Sequence, residues 1–536
     1  RPSRARNMPS CSRGDLDRPS RERKSLICAR NTFLLLGANS PCPTFHVGYK
    51  IFSFYGINAL LASVFFGINV YLPVWNYGIN VCNMLKRKIS KQIENYLKSG
   101  GDKMLVVDGA RQIGKSFIIR EIGSRLFPNF IEINMEKDKQ GDRLFAEAKT
   151  TENFYLALSA VAGDRMSDKK STLVFIDEIQ AYDHLLTLVK FLMEDGRFTY
   201  IASGSLLGVT LKKTQSIPIG SITPLHMYPL DFEEFLWANG VGRLVIEDLR
   251  RCFEERVSPN ESIHRKMLDL FRKYLLVGGL PDAVNTYVKE HNIVKVRDVH
   301  REILELYGLD ASKYEKESSR KLKILRIYEM IPSNLENKKK RVKVKDIEGK
   351  KGKRTSDYQD EFDYLVSSGV ALEVDAISQP AYPLRQNAGK NLLKLYLNDC
   401  GLFTGILYGN DIRPVLEDIR SVNLGSVYET VVAQELKAHG FDLYYYDNKK
   451  NGEVDYLIDD VRNMSSIPLE VKSGKDYTTH SALDRFVANR DYAIRQACVL
   501  SNGSKVFEKD GITYFPIYFV MFFNHDLDMP EEDYIF

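Results

Sequence analysis

The chain has 536 residues, 44% of them hydrophobic and 27% charged, which is close to the average of soluble globular proteins. Its length allows two to four domains with separate cores, and a formal charge of +5 is too small for this size to indicate a partner. The seven cysteines show no CxxC or Cys/His spacing, which argues against a structural zinc site and a disulfide framework. We therefore expect a reducing, cytoplasmic location.

The first 83 residues differ from the rest in charge and pattern. They carry ten Arg/Lys against three Asp/Glu, and Ile51–Pro73 runs 23 residues without a charge, long enough to span a bilayer. The polar Asn58 and Asn69 would make this a poor helix, and Met84 opens a segment that resembles a natural start. We favour a non-native extension over an N-terminal membrane anchor. Membrane contact is expected only if residues 1–83 belong to the native protein.

The next segment has the pattern of a phosphate-binding loop between a strand and a helix. Lys103–Asp108 is a short apolar run typical of a buried parallel strand, and Phe117–Leu126 has the pattern of a helix. Between them, the spacing Gly-x4-Gly-Lys-Ser lets backbone N–H groups converge on phosphate oxygens at a helix N-terminus. We predict an ATP site, with Lys115 at the β- and γ-phosphates and the Ser116 hydroxyl on Mg²⁺. The expected nucleotide contacts are Gly109, Ala110, Arg111, Gln112, Ile113, Gly114, Lys115, Ser116, Phe117 and Ser205.

A second apolar run ends in two acids. Ser171–Ile176 has the pattern of a buried strand and leads directly into Asp177 and Glu178. We assign Asp177 to the Mg²⁺ shell and Glu178 to the general base, so that Glu178 and Lys115 are the predicted catalytic residues. Paired acids after a strand are also found as solvated turn residues, but the upstream P-loop favours the functional interpretation.

A third run ends in small hydroxyl residues. Phe198–Ala202 has the pattern of a strand and is followed by Ser203 and Ser205. In a parallel sheet this end lies beside the P-loop, where Ser203 or Ser205 would sense the γ-phosphate. The alternative is an ordinary Ser-Gly-Ser turn.

The middle of the chain is mainly helical in pattern. Residues 226–300 include the apolar-periodic stretch Met267–Leu276 before a Gly-Gly-Leu-Pro break, and we expect a helical lid over the nucleotide. Residues 318–385 show the order of a winged helix. Within them, Lys338–Arg354 holds ten Lys/Arg against two acids. This segment either binds a DNA phosphate backbone or forms a flexible solvated loop.

The last part of the chain carries a nuclease-like set of charges. An acid, Asp455, followed about fifteen positions later by Glu-x-Lys resembles the PD-(D/E)xK nuclease core. Strand alternation puts Glu470 and Lys472 on one face. We predict that Asp455 and Glu470 hold Mg²⁺, that Lys472 orients the attacking hydroxide, and that Glu429 adds to the site. The alternative is an ion pair on an edge strand, in a fold that also serves as a non-cutting platform.

Taken together, these motifs resemble a prokaryotic family that joins an AAA-type P-loop ATPase core to a C-terminal domain of unknown function with a restriction-endonuclease-like fold. The resemblance extends over nearly all of residues 84–536. Family members often carry Gly-Arg before the Pro-Leu-x-x-x-Glu-Phe segment, but here Gly220 is followed by Ser221, so no arginine finger is assigned. The resemblance rests on Gly109–Ser116, Phe175–Gln180, Tyr228–Phe235, Tyr274–Pro281, Ile327–Ser333, Leu395–Leu402, Leu424–Glu429 and Pro468–Gly474.

The resemblance implies an α/β chain that binds and hydrolyses ATP with Mg²⁺ and thereby drives or gates the nuclease-like module at double-stranded DNA. Two alternatives stay open: an ATP-licensed, Mg²⁺-dependent DNA nuclease, and a nucleotide-switched protein-interaction module with an inert nuclease fold. Arginines from a neighbouring subunit are expected if hydrolysis needs a homo-oligomer. The expected parts are an N-terminal extension (1–83), an AAA-type P-loop core (84–225), a helical lid or connector (226–317), a winged-helix-like segment (318–390) and a restriction-endonuclease-like domain (391–536).

Overall fold

The computed structural model of the chain describes residues 85–205, 219–314, 318–349, 352–417, 419 and 422–525. The interpretations given for residues 1–83 lie outside these ranges. Within the ranges, no helix combines the length and the apolar character that crossing a bilayer requires.

The N-terminal part is built on a five-stranded sheet in which every pairing is parallel. The strands lie in the order β2-β3-β4-β1-β5. Because the strands point the same way, the polar residues that end β3 and β4 lie at the edge where β1 enters its loop. The strands predicted at 103–108, 171–176 and 198–202 are confirmed as β1, β3 and β4. The bounds are β1 Met104–Asp108, β2 Asn129–Asn134, β3 Thr172–Asp177, β4 Thr199–Gly204 and β5 Ile222–His226.

Helices cover both faces of this sheet. The face that carries Val106 and Val174 packs against α4 and α5 in one hydrophobic core. The opposite face, with Val107 and Phe175, packs against α1 and α2 in a second core that continues into the rest of the chain. The bounds are α1 Ile89–Ser99, α2 Lys115–Leu126, α3 Met135–Gln140, α4 Thr151–Ala162 and α5 Asp183–Asp195.

A run of helices follows the first sheet, as the sequence predicted. α8 ends at Gly278, whose φ of +72° is left-handed, and α9 begins with Pro281, a favourable first position because its missing N–H has no helical partner there. This break turns the chain sharply between the two helices. The bounds are α6 Phe232–Ala238, α7 Arg243–Glu254, α8 Glu261–Val277, α9 Pro281–Glu290, α10 Ile293–Tyr314 and α11 Ser318–Leu335.

The second sheet has eight strands of mixed direction, in the order β12-β13-β11-β10-β9-β8-β6-β7. β10 pairs in parallel with β11 and antiparallel with β9, whereas β6 and β7 form a hairpin at one edge. The bounds are β6 Ala371–Ile377, β7 Ala388–Leu397, β8 Tyr444–Asn448, β9 Gly452–Asp460, β10 Ser465–Lys472, β11 Ala497–Ser501, β12 Phe507–Lys509 and β13 Ile512–Pro516.

The strands expected in the winged-helix segment belong to this second sheet. β6 pairs in parallel with β8 from Asp375 to Ile377, and the boundary expected between residues 390 and 391 falls inside β7. Backbone hydrogen bonds across that boundary join the two segments in one sheet. The remaining helices are α12 Val344–Glu348, α13 Gln359–Ser367, α14 Cys400–Tyr408, α15 Arg413–Leu416, α16 Gly425–Ala438 and α17 Ser481–Ala488.

Buried polar contacts tie the helical run to α14, the helix that follows β7. The Asp399 carboxylate accepts from the Gly279 backbone N–H at 2.6 Å and from the Leu402 N–H at 2.9 Å, and it caps α14. Arg297 of α10 is 2% exposed and donates to the carbonyl oxygen of Gly401 at 2.8 Å. Since buried polar groups are costly when unpaired, these contacts fix the helical run against the start of α14.

Candidate nucleotide-binding site

The loop after β1 makes a tight left-handed turn into α2. Gly109 has a φ of +132°, and a Cβ there would lie 2.3 Å from the Met227 carbonyl oxygen, so the position requires glycine. Gly114 has a φ of +92° and precedes the first residue of α2. Gln112, although not glycine, also has a left-handed φ of +62°. Such strained residues cluster at ligand-binding loops.

Lys115 is buried in the loop that it follows. Its ammonium donates to the carbonyl oxygens of Gly109 at 2.9 Å and Ala110 at 2.7 Å. Burial lowers the pKa of Lys115 to about 8, although the carboxylates of Glu178 and Asp108 act in the opposite direction. A phosphate bound beside Lys115 would favour its charged form, because an opposite charge raises the pKa of a buried lysine.

The predicted metal-binding pair is brought together from two elements. Ser116 Oγ, at the start of α2, donates to Asp177 Oδ1 at 2.9 Å, and Ser203 Oγ donates to the same oxygen. Asn134 was missed by the sequence reasoning, yet its Nδ2 donates to Asp177 Oδ2 at 2.8 Å. Asn134 ends β2, the parallel neighbour of β3, and this pairing is the signal that identifies it.

The other predicted acid is held by a short chain of hydrogen bonds. Glu178 has a left-handed φ of +54°, and its Oε2 accepts from Gln180 Nε2 and from Ser205 Oγ at 3.2 Å. Arg111 Nε lies 3.4 Å from Ser205 Oγ and 2.7 Å from Asp310 Oδ2 of α10. Ser203 and Ser205 therefore contact the two acids, Asp177 and Glu178 respectively.

The outer side of the loop borders a cavity of about 800 Å³. The walls come from the chain before and within α1, from residues 112–114 of the loop, from the exposed side of α2 that starts at Phe117, from Met227 and from the first turns of α9. Phe117 is 52% exposed and Ile113 is buried. This volume is within the range of small-molecule sites.

The four residues of the predicted nuclease-like site lie together at the second sheet. Glu429 is on α16, Asp455 on β9, and Glu470 and Lys472 on β10. Lys472 Nζ donates to Glu470 Oε1 at 2.7 Å, and Asp455 Oδ2 accepts from the Val471 N–H at 2.9 Å. Burial and the charge of Asp455 raise the pKa of Glu470 to about 8, and the same two causes raise the pKa of Glu429.

An additional cation lies in this cluster that the sequence reasoning did not assign to it. Lys340 Nζ forms an ion pair with Glu429 Oε1, and Tyr396 OH donates to Glu429 Oε2 at 3.0 Å. Lys340 belongs to the basic segment Lys338–Arg354 predicted for DNA contact. No local pattern identifies this pairing, because the two residues are 89 positions apart.

Comparisons with known families divide the chain into three parts. A model described as an AAA domain matches residues 101–236. Two models described as domains of unknown function, DUF8612 and DUF4143, match residues 268–411 and 424–520. Among curated proteins, none matches this chain.

The solved structures that match this chain do so at low identity and with TM-scores below 0.5. The Walker-type ATPase PABY2304 of Pyrococcus abyssi is 16% identical, with 61% of this chain and 96% of that chain covered and a TM-score of 0.38. The RuvB Holliday junction branch migration motor of Thermotoga maritima is 13% identical, with 54% and 89% covered and a TM-score of 0.25. PCH-2 of C. elegans is 9% identical, with 33% and 51% covered and a TM-score of 0.21.

The family match and the site geometry coincide in the chain. The AAA model spans the P-loop, β3 with Asp177 and Glu178, and β4 with its serines. The sheet around them is parallel throughout. Residues 101–236 are therefore similar to an AAA domain, and they fold as a parallel α/β sheet with the P-loop at its edge.

Proposed function

We propose that the chain binds ATP at the P-loop and hydrolyses it with Mg²⁺. The observation that carries this proposal is the 2.9 Å contact between Ser116 Oγ and Asp177 Oδ1, next to the buried ammonium of Lys115. A hydroxyl and a carboxylate side by side are oxygen ligands suited to Mg²⁺, and the ammonium complements a phosphate. Bound Mg²⁺ would neutralise charge on the phosphates during transfer.

In this proposal each residue of the site has one task. Lys115 leaves the carbonyl oxygens of Gly109 and Ala110 and donates to the β- and γ-phosphates, while the backbone N–H groups of the loop bind phosphate oxygens. Glu178 orients water and accepts its proton. Ser205, which donates to Glu178 Oε2, keeps that carboxylate in a defined position until the nucleotide is bound.

The 800 Å³ cavity beside Gln112–Phe117 is the proposed nucleoside site. It adjoins the loop on the side of Phe117, and α9 forms part of its wall. We infer that α8 and α9 act as a lid. Nucleotide binding would then change the position of this lid and, through it, of the helices that pack on the second sheet. Asp399, which accepts from the Gly279 N–H, joins that lid to α14.

The test of ATP binding is Lys115→Ala in the full-length protein. We expect no saturable binding of Mg·ATP by calorimetry and no turnover, because the cation that faces the phosphates is lost. Lys103→Ala, which changes an exposed lysine before β1, is the matched control and should behave as wild type. Unchanged ATP affinity in Lys115→Ala would overturn the proposal.

We further propose that hydrolysis drives or gates the C-terminal part at double-stranded DNA, in a cytoplasmic protein that works as a homo-oligomer. The exposed lysines 338, 339, 343 and 345 support a phosphate-backbone contact. Duplex DNA should then raise the ATPase rate at low salt, and the effect should decline as salt is added. A rate that does not respond to DNA at any salt concentration, together with nucleotide-dependent capture of a protein, would favour the interaction-module alternative.

A second candidate function is Mg²⁺-dependent cleavage of DNA. The observation that favours it is the cluster of Glu429, Asp455, Glu470 and Lys472 at the start of α16 and on β9 and β10. Nicking should require Mg²⁺ and should be lost in Asp455→Ala and in Lys472→Ala. Equal nicking by wild type and both variants would identify a contaminating nuclease.

A further inference from the structure

A short stretch of chain lies across the carboxylate cluster of the second sheet. We define the plug segment as residues 336–343, between α11 and α12. Its Val342 N–H donates to the Leu393 carbonyl oxygen of β7 at 3.1 Å. Arg341 forms an ion pair with Asp447 of β8, and Ser426 Oγ donates to Glu336. The segment is thus attached to two strands of the second sheet and to α16.

The backbone of the plug segment directs one lysine inward. Lys340 has a φ of +48°, a left-handed conformation that a residue with a Cβ rarely adopts. Its neighbours Lys338 and Lys339 are exposed, whereas the Lys340 side chain is only 20% exposed and pairs with Glu429. The ammonium of Lys340 is therefore held inside the cluster by a carboxylate whose side chain is only 3% exposed.

One carboxylate oxygen of the cluster has no polar partner. Glu470 is 7% exposed, its Oε1 accepts from Lys472, and its buried Oε2 has no hydrogen-bond donor in the described part of the chain. A buried carboxylate oxygen without a donor is costly, and a cation would relieve that cost. In the arrangement seen with Lys340 inserted, no three acidic, histidine or cysteine side chains among the described residues are positioned to hold a metal ion.

We propose that Lys340 is an internal plug for a divalent-cation site formed by Glu429, Asp455 and Glu470. The ammonium of Lys340 supplies positive charge to this group of carboxylates, and its ion pair with Glu429 keeps that carboxylate from binding a metal ion. When the plug segment is withdrawn, the oxygen ligands bind a hard divalent cation such as Mg²⁺ or Mn²⁺. This inference rests on the second candidate function in treating the cluster as a metal site, but it concerns metal binding and not cleavage.

The test uses Mn²⁺ as the probe and the full-length protein without nucleotide. Free Mn²⁺ is followed by electron paramagnetic resonance, and any Mn²⁺ at the P-loop contributes equally to all variants. Lys340→Gln should gain one Mn²⁺ site per chain with a Kd at least about tenfold lower than in wild type. Lys339→Gln, which changes the exposed neighbour, should match wild type. Adding Asp455→Asn to Lys340→Gln should abolish the gain.

Three results would overturn the proposal: equal Mn²⁺ affinity in wild type and Lys340→Gln, the same gain in Lys339→Gln, or a gain that survives Asp455→Asn. If Lys340→Gln does not fold because Glu429 loses its partner, the comparison is repeated in a protein in which residue 429 is also neutral. Lys340→Gln with Glu429→Gln must then bind Mn²⁺ more tightly than Glu429→Gln alone, and equality refutes the plug. A gained Mn²⁺ site without DNA cleavage would leave the plug standing and reject the nuclease function.

Discussion

Arg111 Nε of the P-loop lies 2.7 Å from Asp310 Oδ2 of α10. The two residues are far apart in the chain, and Tyr307, one turn before Asp310, donates from its hydroxyl to the Arg111 carbonyl oxygen at 3.1 Å. Since Arg111 also contacts Ser205, and Ser205 contacts Glu178, the helical run reaches the proposed general base through two side chains. The relation suggests that α10 influences the chemical step more than nucleotide affinity.

Asp310→Asn should therefore lower kcat by about tenfold while the Kd for ATP changes by less than about threefold. Loss of the charge frees Arg111, and Glu178 is then less well oriented. Steady-state ATPase kinetics and calorimetry measure the two quantities. Asp298→Asn, on the same helix but exposed, is the control. Equal loss of kcat in both variants would contradict this role for Asp310.

Lys115 predicts how ATP affinity depends on pH. Burial lowers its pKa to about 8 in the free protein, and bound phosphates would raise that pKa. Above pH 8 the lysine is mostly neutral before binding, so binding must take up a proton, and affinity falls as pH rises. Between pH 8 and 9 the Kd should rise by up to about tenfold. Calorimetry in two buffers of different ionisation enthalpy measures the proton uptake.

Lys115→Arg is the control for that pH dependence, because a guanidinium stays charged throughout this range. Its ATP affinity should be weaker than that of wild type but flat with pH. If wild type and Lys115→Arg show the same slope, the titrating group is not Lys115.

Substitutions of the two acids Asp177 and Glu178 should have different kinetic effects. Glu178→Gln should keep the Kd for ATP within about threefold and lower kcat by at least about a hundredfold, because only the proton acceptor is lost. Asp177→Asn should instead raise the Mg²⁺ concentration needed for half-maximal ATPase activity by about tenfold, since Asp177 is paired with Ser116. Mg²⁺ titrations of ATPase activity at saturating ATP distinguish the two outcomes, and the reverse pattern would exchange the assigned roles.

Gly278 should be far less tolerant of a side chain than another glycine with a similar positive φ. Its φ is +72°, and a Cβ would lie 2.1 Å from Asp399 Oδ1. Gly240 has a φ of +74° with nothing near a Cβ, so Gly240→Ala measures the cost of a positive φ without a clash, about 1–2 kcal/mol. Gly278→Ala should lower the free energy of unfolding by at least about 3 kcal/mol. Urea unfolding followed by circular dichroism measures both, and equal losses would refute the steric argument.

The sequence predicted what depends on short patterns. The apolar runs before Gly109 and Asp177 identified β1 and β3, and the rule that parallel strands end at one edge anticipated that Ser203 and Ser205 would lie beside the P-loop. Contacts between distant segments were beyond such patterns. Lys340 and Asp310 look like ordinary solvated charges in the sequence, and their partners Glu429 and Arg111 follow only from tertiary packing.

The predicted winged helix, which the structure does not confirm, also depended on a strand pairing between distant segments. The structure has the predicted order of helix, loop, helix and strand around residues 318–385. The order of strands in a sheet, however, depends on which strands pair in the folded chain. β6 pairs with β8, which begins at Tyr444, so the hairpin of β6 and β7 lies in the second sheet. Local alternation in Ala371–Ile377 carries no information about that pairing.

The second sheet contains strands from both sides of residue 390, and this determines which fragments of the protein can fold. A fragment starting at residue 391 would lack β6 and the first residues of β7. The N–H and C=O groups of β8 that pair with β6 would then be exposed, and β8 would become an edge strand able to pair with other chains. Such a fragment is expected to self-associate, whereas one that retains residues from the start of α13 onward keeps its hairpin cover. Recombinant studies of the carboxylate cluster in isolation should therefore cut the chain before Gln359, or before Glu336 when the plug segment is to be retained.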